Sequence, residues 1–263
     1  MQMKHNELVD QAVSGNKEAL EQLLREVEDM VFNLSLRMLG SHHDAEDASQ
    51  EIYIRIITGL NSFRKEGKFT TWVYRIAVNH LLNYKKSMFA ARPLSFEFYG
   101  ADIENGFMEG SADLSGGIDR GLLAEELKLS CTNVMLQCFD PQTRIIYILG
   151  TMFQIDSKLC AEILDMKPDA YRQRLSRTRK KMAGFLKEYC GLADSAKCSC
   201  KRRLNYAITT HRLDPQNLVY TQQQILDPSI SEKYKEAMEE VDDMSFIFAQ
   251  LPDYRSPDTV RTF

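Results

Sequence analysis

The chain has 263 residues, 44% of them hydrophobic, and a formal net charge of −4, which is enough apolar content for two small cores. No stretch approaches the roughly 20 apolar residues of a membrane span, and Met1–Asp10 lacks the apolar core of an export signal, so a cytoplasmic protein without a membrane span is expected. Six cysteines in such a chain are not a disulfide framework, and no nucleophile–base constellation, glycine-rich phosphate loop or HExxH-type pair points to an enzyme.

The mean charge hides an uneven distribution. Residues 61–92 carry seven Lys/Arg against Glu66 alone, and residues 167–187 carry eight against Asp169 alone. Segments 97–126 and 213–258 are acidic. Two basic blocks on either side of an acidic segment fit two places where phosphate backbone is neutralised, although either block alone reads equally well as a solvated helix face.

From Ser14, apolar residues at Leu20, Leu23, Leu24, Val27, Met30, Val31, Leu34 and Met38 repeat with a helical period up to Gly40. Ser41 and Asp44 then supply cap chemistry for a second helix running to about Thr58 and ending at Gly59. After a polar loop, Asn61–Lys68, the spacing of Trp72, Val73, Ile76, Ala77, Leu81 and Tyr84 predicts a third helix from about Thr70 to Ser87. These elements form a compact helical domain over residues 1–88. Residues 89–122 lose the period, contain Pro93 and several glycines, and read as an acidic flexible linker. Helical pattern resumes over 123–189, with interruptions near Pro141, Gln154 and Pro168.

Within that second domain, a short helix at about Ser157–Leu164, a turn at Asp165–Lys167 and a helix opening on Pro168 make a helix-turn-helix pattern. Tyr171, Leu175, Thr178, Met182 and Phe185 share the inward face. Gln173, Ser176, Arg177 and Lys180 lie opposite, flanked by Arg172 and Arg179. Arg and Gln can pair bidentately with base edges in a major groove, and the surplus cations suit phosphates. An amphipathic hairpin with a basic surface is the competing reading.

Residues 190–263 form a cysteine-containing acidic extension. Cys190, Cys198, Cys200 and His211 are a candidate ligand set for zinc or another thiophilic ion, at a spacing unlike the standard fingers, and no cofactor is required otherwise. Lys197, Lys201, Arg202 and Arg203 are expected to favour thiolate, which suits either metal or redox chemistry. Cys131, Cys138 and Cys160 sit in apolar patterns and read as packing residues. The stretch from Ser231 reads as an acidic amphipathic helix that either restrains a basic DNA-binding face or simply packs.

Three segments in order resemble the extracytoplasmic-function sigma factors of bacterial RNA polymerase. DAEDASQEIYIRI, from Asp44, is similar to the family's core-binding helix, FTTWVYRIAVNHLLNYKK, from Phe69, to its −10-reading helix, and CAEILDMKPDAYRQRLSRTRKKM, from Cys160, to its −35-reading helix-turn-helix. The resemblance implies an all-α protein with two small helical domains, sigma regions 2 and 4, joined by the linker. It implies contacts with core polymerase at Asp44, Asp47, Gln50 and Glu51. It implies −10 DNA contacts at Phe63, Arg64, Lys68, Arg75, Asn79, Asn83, Lys85 and Lys86, and −35 DNA contacts at Arg172, Gln173, Ser176 and Arg177, to which the helical phase adds Arg179 and Lys180. Core RNA polymerase and promoter DNA are the partners it implies, with an anti-sigma factor or intramolecular restraint by the extension as the regulator. The sequence departs from the family at Asn83, where an acid is usual, at Gln154, where a glycine is usual, and at Asp169–Ala170–Tyr171. An autonomous helix-turn-helix regulator is the alternative, and it leaves the first domain's acidic and aromatic-basic helices without a role.

Overall fold

The computed structural model describes residues 2–84, 86, 88–91, 93–107, 113–191, 197–222, 248 and 251–261. The fold is all-α, with no β-strand among the described residues. Helices α1 (Gln2–Val13), α2 (Lys17–Arg25), α3 (Glu28–Leu39), α4 (His42–Gly59) and α5 (Phe69–Leu82) build the first bundle. The apolar run expected as one helix from Ser14 is divided between α2 and α3. Asn16 starts α2 by accepting the Ala19 N–H at 3.0 Å, and a break at Glu26–Val27 turns α3 into the bundle, where every residue from Val31 to Leu39 is buried. Gly40 ends α3 in the left-handed conformation, φ 70, which glycine adopts without steric cost. Ser41 caps α4 through the Asp44 N–H at 3.3 Å.

The segment expected to be a flexible linker is structured in part. It carries α6 (Met88–Ala91) and α7 (Phe96–Asn105), the latter opened by Ser95 accepting the Phe98 N–H. Phe96, Tyr99 and Ile103 recur at helical spacing and are buried; Phe96 meets Phe139 and Phe185 edge-on at 4.9 and 5.0 Å. Burying three large side chains, at about 1.5–3 kcal/mol each, outweighs the glycine and acid content that hides this stripe in the sequence.

The second bundle comprises α8 (Arg120–Leu136), α9 (Pro141–Tyr147), a π-helical turn (Ile148–Met152), α10 (Ser157–Ile163) and α11 (Pro168–Tyr189). The sequence punctuation acts as expected: Asp140 caps α9 ahead of Pro141, Asp156 caps α10, and Pro168 occupies the first turn of α11. Helix α12 (Cys200–Thr209) lies on α8 around a small core of Leu123, Leu204, Ala207, Leu213 and Leu218. Residues 251–261, ending in α13 (Asp258–Arg261), return to the first bundle. Buried Arg144 joins the bundles by donating to the carbonyls of Met38, Leu136 and Phe139, closing the C-terminal ends of α3 and α8 together. One continuous apolar core runs from Leu8 to Val260. Among the described residues no helix is long and apolar enough to cross a membrane.

Candidate nucleic-acid interface

Helix α4 buries Ala45, Ala48, Ile52 and Ile56, which turns Asp47 and Gln50 to the surface with Asp44 and Glu51 at the margins. Ile54 is 61% exposed on the same outer face and was missed in the sequence. The signal was there: Ile52, Ile54 and Ile56 alternate, and a helix cannot turn all three inward. The Gln50 amide donates to the Thr259 carbonyl at 2.9 Å. Lys86 bonds Glu51 at 2.7 Å and holds its carboxyl below the ordinary range.

A groove of about 710 Å³ opens between α4 and α5, lined in part by Trp72, Asn79, His80, Asn83 and Lys86. Its half-buried indole and two amides offer stacking surface and hydrogen bonds to a base edge. Arg64 and Lys68 are exposed in the loop that precedes α5. Two expected DNA contacts lie elsewhere. Phe63 is only 8% exposed, its ring packed against Phe69 and Trp72 at 5.8 and 5.6 Å, so burial of the aromatic trio outcompetes a free stacking role. Arg75 is exposed but donates to the Glu162 carboxylate at 3.2 Å and its carbonyl at 3.1 Å, across to α10. Lys85 lies outside the described residues.

The helix-turn-helix phase derived from sequence holds along α11. Tyr171, Leu175, Thr178, Met182 and Phe185 are buried, while Arg172, Gln173, Ser176, Arg177 and Lys180 are exposed on the other side. Gly150 lets the helix come close, since a Cβ there would stand 2.4 Å from the Tyr171 hydroxyl. Arg179 turns inward instead of toward solvent. It donates to Gly150 O at 2.8 Å and Thr151 Oγ1 at 3.0 Å, because the π-helical turn leaves those acceptors at its end. Asp169, in the first turn of α11, pairs with Arg172 at the surface.

Cys198, Cys200 and His211 line one cavity of about 630 Å³ together with Cys131, while Cys190 lines a neighbouring one with Cys198 and Cys200. Among the described residues no three His, Cys, Asp or Glu side chains converge as a metal-ligand group, and His211 is exposed. The expected thiolate bias is also reversed at Cys200, where burial pushes the thiol up to about 12. Three of the four cations that were to supply it are engaged elsewhere. Lys197 pairs with Glu104, Arg202 lies over Phe107, and Arg203 bonds Asp102. Burial opposes ionisation of Asp102, yet hydrogen bonds from Arg212, Tyr206 and Arg203 outweigh it and hold the carboxyl at about 2. This cluster ties α7 to α12.

A family model described as Sigma-70 region 2 matches residues 23–88, the span that holds α3, α4 and α5. The chain is 27% identical to the ECF RNA polymerase sigma factor SigW of Bacillus subtilis over 193 residues, 72% of this chain and all of that protein. It is 27% identical to the ECF RNA polymerase sigma-E factor of Escherichia coli K12 over 179 residues, 68% of this chain and 92% of that one. It is 25% identical to the RNA polymerase sigma-H factor of Pseudomonas aeruginosa over 181 residues, again 68% and 92%. The solved structure of CnrH in complex with the cytosolic domain of CnrY shares the fold, with a TM-score of 0.50 at 21% identity over 70% of this chain and 97% of that one.

Proposed function

The chain belongs to the extracytoplasmic-function sigma factors of bacterial RNA polymerase, and from that premise we propose how its surfaces divide the work of promoter-specific initiation. The outer face of α4, with Asp44, Asp47, Gln50, Glu51 and Ile54, meets core polymerase. An exposed isoleucine ringed by acids and an amide supports this, since apolar exposure inside a polar rim suits a protein interface. The α4–α5 groove takes an unpaired base of the −10 strand against Trp72, Asn79 and Asn83, with Arg64, Lys68 and Lys86 supplying phosphate contacts. Helix α11 enters the major groove of the −35 element through Arg172, Gln173, Ser176 and Arg177, and Lys180 holds phosphate.

The observation that carries this reading is the coexistence of the region 2 match with a recognition helix whose apolar face is wholly buried and whose Arg/Gln/Ser face is open. In the described arrangement the two readers touch through Arg75 and Glu162. Promoter elements set roughly two helical turns of duplex apart, each turn about 34 Å, cannot both be reached until that contact opens. The cysteine cluster is a secondary proposal: Cys190, Cys198, Cys200 and His211 hold a thiophilic ion, and elemental analysis of chelator-free protein tests it.

The decisive experiment is transcription with core polymerase on a promoter library. Initiation from a defined two-part promoter is expected. Arg177→Ala should relax the −35 preference by about 1–3 kcal/mol at one position, whereas Lys180→Ala should weaken all sequences alike and flatten the salt dependence. Initiation scattered without sequence preference would overturn the assignment.

A further inference from the structure

Helix α3 carries three polar residues one turn apart on one stripe: Asp29, Asn33 and Arg37. Asn33 and Arg37 are each 2% exposed, which demands partners, since an unpaired buried polar group costs about 1–3 kcal/mol. All three are matched by residues 252–256. The Asn33 carboxamide reads the Tyr254 backbone at both atoms, accepting its N–H at 2.8 Å and donating to its carbonyl at 2.6 Å. Arg37 donates to Pro252 O at 3.0 Å and to Asp253 Oδ1 at 2.6 Å. Asp29 accepts the Ser256 N–H at 2.7 Å.

The register has a simple geometric origin. Four residues of α-helix advance about 6 Å, and two residues of extended chain about 6.6 Å. A stripe at every fourth helical position therefore keeps step with every second residue of an extended strap running antiparallel to it. Apolar side chains complete the seat: Leu251, Tyr254 and Val260 are buried, and Phe248 meets Tyr147 of α9 edge-on at 5.4 Å. Beyond the strap, α13 lies on α4, where Thr259 O occupies the Gln50 amide.

We propose that the α3–α4 face is a peptide-binding surface whose occupant is the chain's own 251–261 segment, and that this strap and core polymerase exclude each other. The second half rests on the reading of α4 as the polymerase-contact helix. The strap reads backbone through Asn33 and side chain through Arg37, so its attachment is sequence-specific. Because strap and seat belong to one chain, their association is intramolecular, which raises the strap's effective concentration over that of a free peptide. Polymerase must then displace α13 before it can reach Gln50, and its apparent affinity is scaled down by the fraction of molecules whose strap is open.

Full-length protein, Tyr254→Ala and Asp253→Ala should each be titrated against core polymerase, with hydrogen exchange followed in the wild-type complex. Tyr254→Ala removes an anchor that no polymerase contact uses; Asp253→Ala removes only a half-exposed carboxylate, and serves where the first variant misfolds. Both are expected to bind polymerase more tightly, Tyr254→Ala by about ten-fold or more. The Tyr254 and Ser256 amides should lose protection on binding while those of α4 gain it. Protected α4 amides with an unmoved strap and unchanged variant affinity would overturn the exclusion alone. Unprotected α4 amides, together with wild-type affinity in Gln50→Ala/Glu51→Ala, would overturn the polymerase reading and the exclusion with it.

Discussion

Gln154 adopts φ 50 at the hinge between the π-helical turn and α10, where the resembling family usually has glycine. The turn is fixed from both sides, with Phe153 N–H returning to Ile148 O and Ile155 N–H to Leu149 O, each at 2.9 Å. A left-handed conformation costs a residue with a side chain about 1–2 kcal/mol. Gln154→Gly is therefore expected to stabilise the protein by roughly 1 kcal/mol net of glycine's own entropy. The check is a urea midpoint that rises at constant slope; an unmoved midpoint would show that the glutamine side chain compensates for its backbone. The same residue illustrates what a sequence reports well. The family difference was visible at Gln154, but the inward turn of Arg179 was not, because the acceptors at Gly150 and Thr151 are exposed by a π-helical turn that no periodicity announces.

At the scale of elements, α4 and α5 share a buried-histidine chemistry with a measurable pH signature. Burial, then Arg55, pushes the His80 imidazole below its usual value; burial likewise lowers His42 at the start of α4, against the opposing pull of Glu46. Both groups take up a proton less readily folded than unfolded. Their contribution is complete above the unfolded value near 6.5 and is lost as pH falls below it toward the depressed folded values. The carboxylates with lowered values, Asp102 at about 2 among them, titrate far below this window. Melting temperature should thus decline from pH 7 to 5.5, and His80→Gln should flatten that decline; a variant with the wild-type slope would remove His80 as a source. Element legibility followed the apolar period. Helix α11 was readable face by face because its stripe is unbroken for four turns. Helix α7 was not, because its stripe of Phe96, Tyr99 and Ile103 sits among glycines and acids that dilute any window. The strap escaped for another reason: Asn33 and Arg37 stand one turn apart in a mostly apolar run, a visible demand for partners, but nothing local names the segment that meets it.

For the molecule as a whole, the sequence suggests two domains on a flexible connection, whereas one core continues through both. Arg144 and Gln137 bond the end of α3 from the second bundle, Glu126 gathers the backbone N–H groups of Val219, Tyr220 and Thr221 onto α8, and the Asp102 cluster fastens α7 to α12. Buried polar pairs of this kind cost about 3–5 kcal/mol when one partner is removed, so the parts are coupled more strongly than domains on a leash. A single unfolding transition with equal calorimetric and van't Hoff enthalpies is expected. Two resolved transitions would show that the bundles melt independently and that the shared core contributes little to cooperativity.

The amide of Asn33 is satisfied by a residue 221 positions further along the chain. At translation rates of about 5–20 residues per second, the α3 stripe emerges and then waits roughly ten to forty seconds for its strap to be made. During that interval the growing polypeptide displays its α3–α4 face uncovered, with two buried-type polar groups still hydrated. Closure is therefore delayed during synthesis: each molecule begins its life open and is shut only when a segment made 221 positions later reaches the α3 stripe.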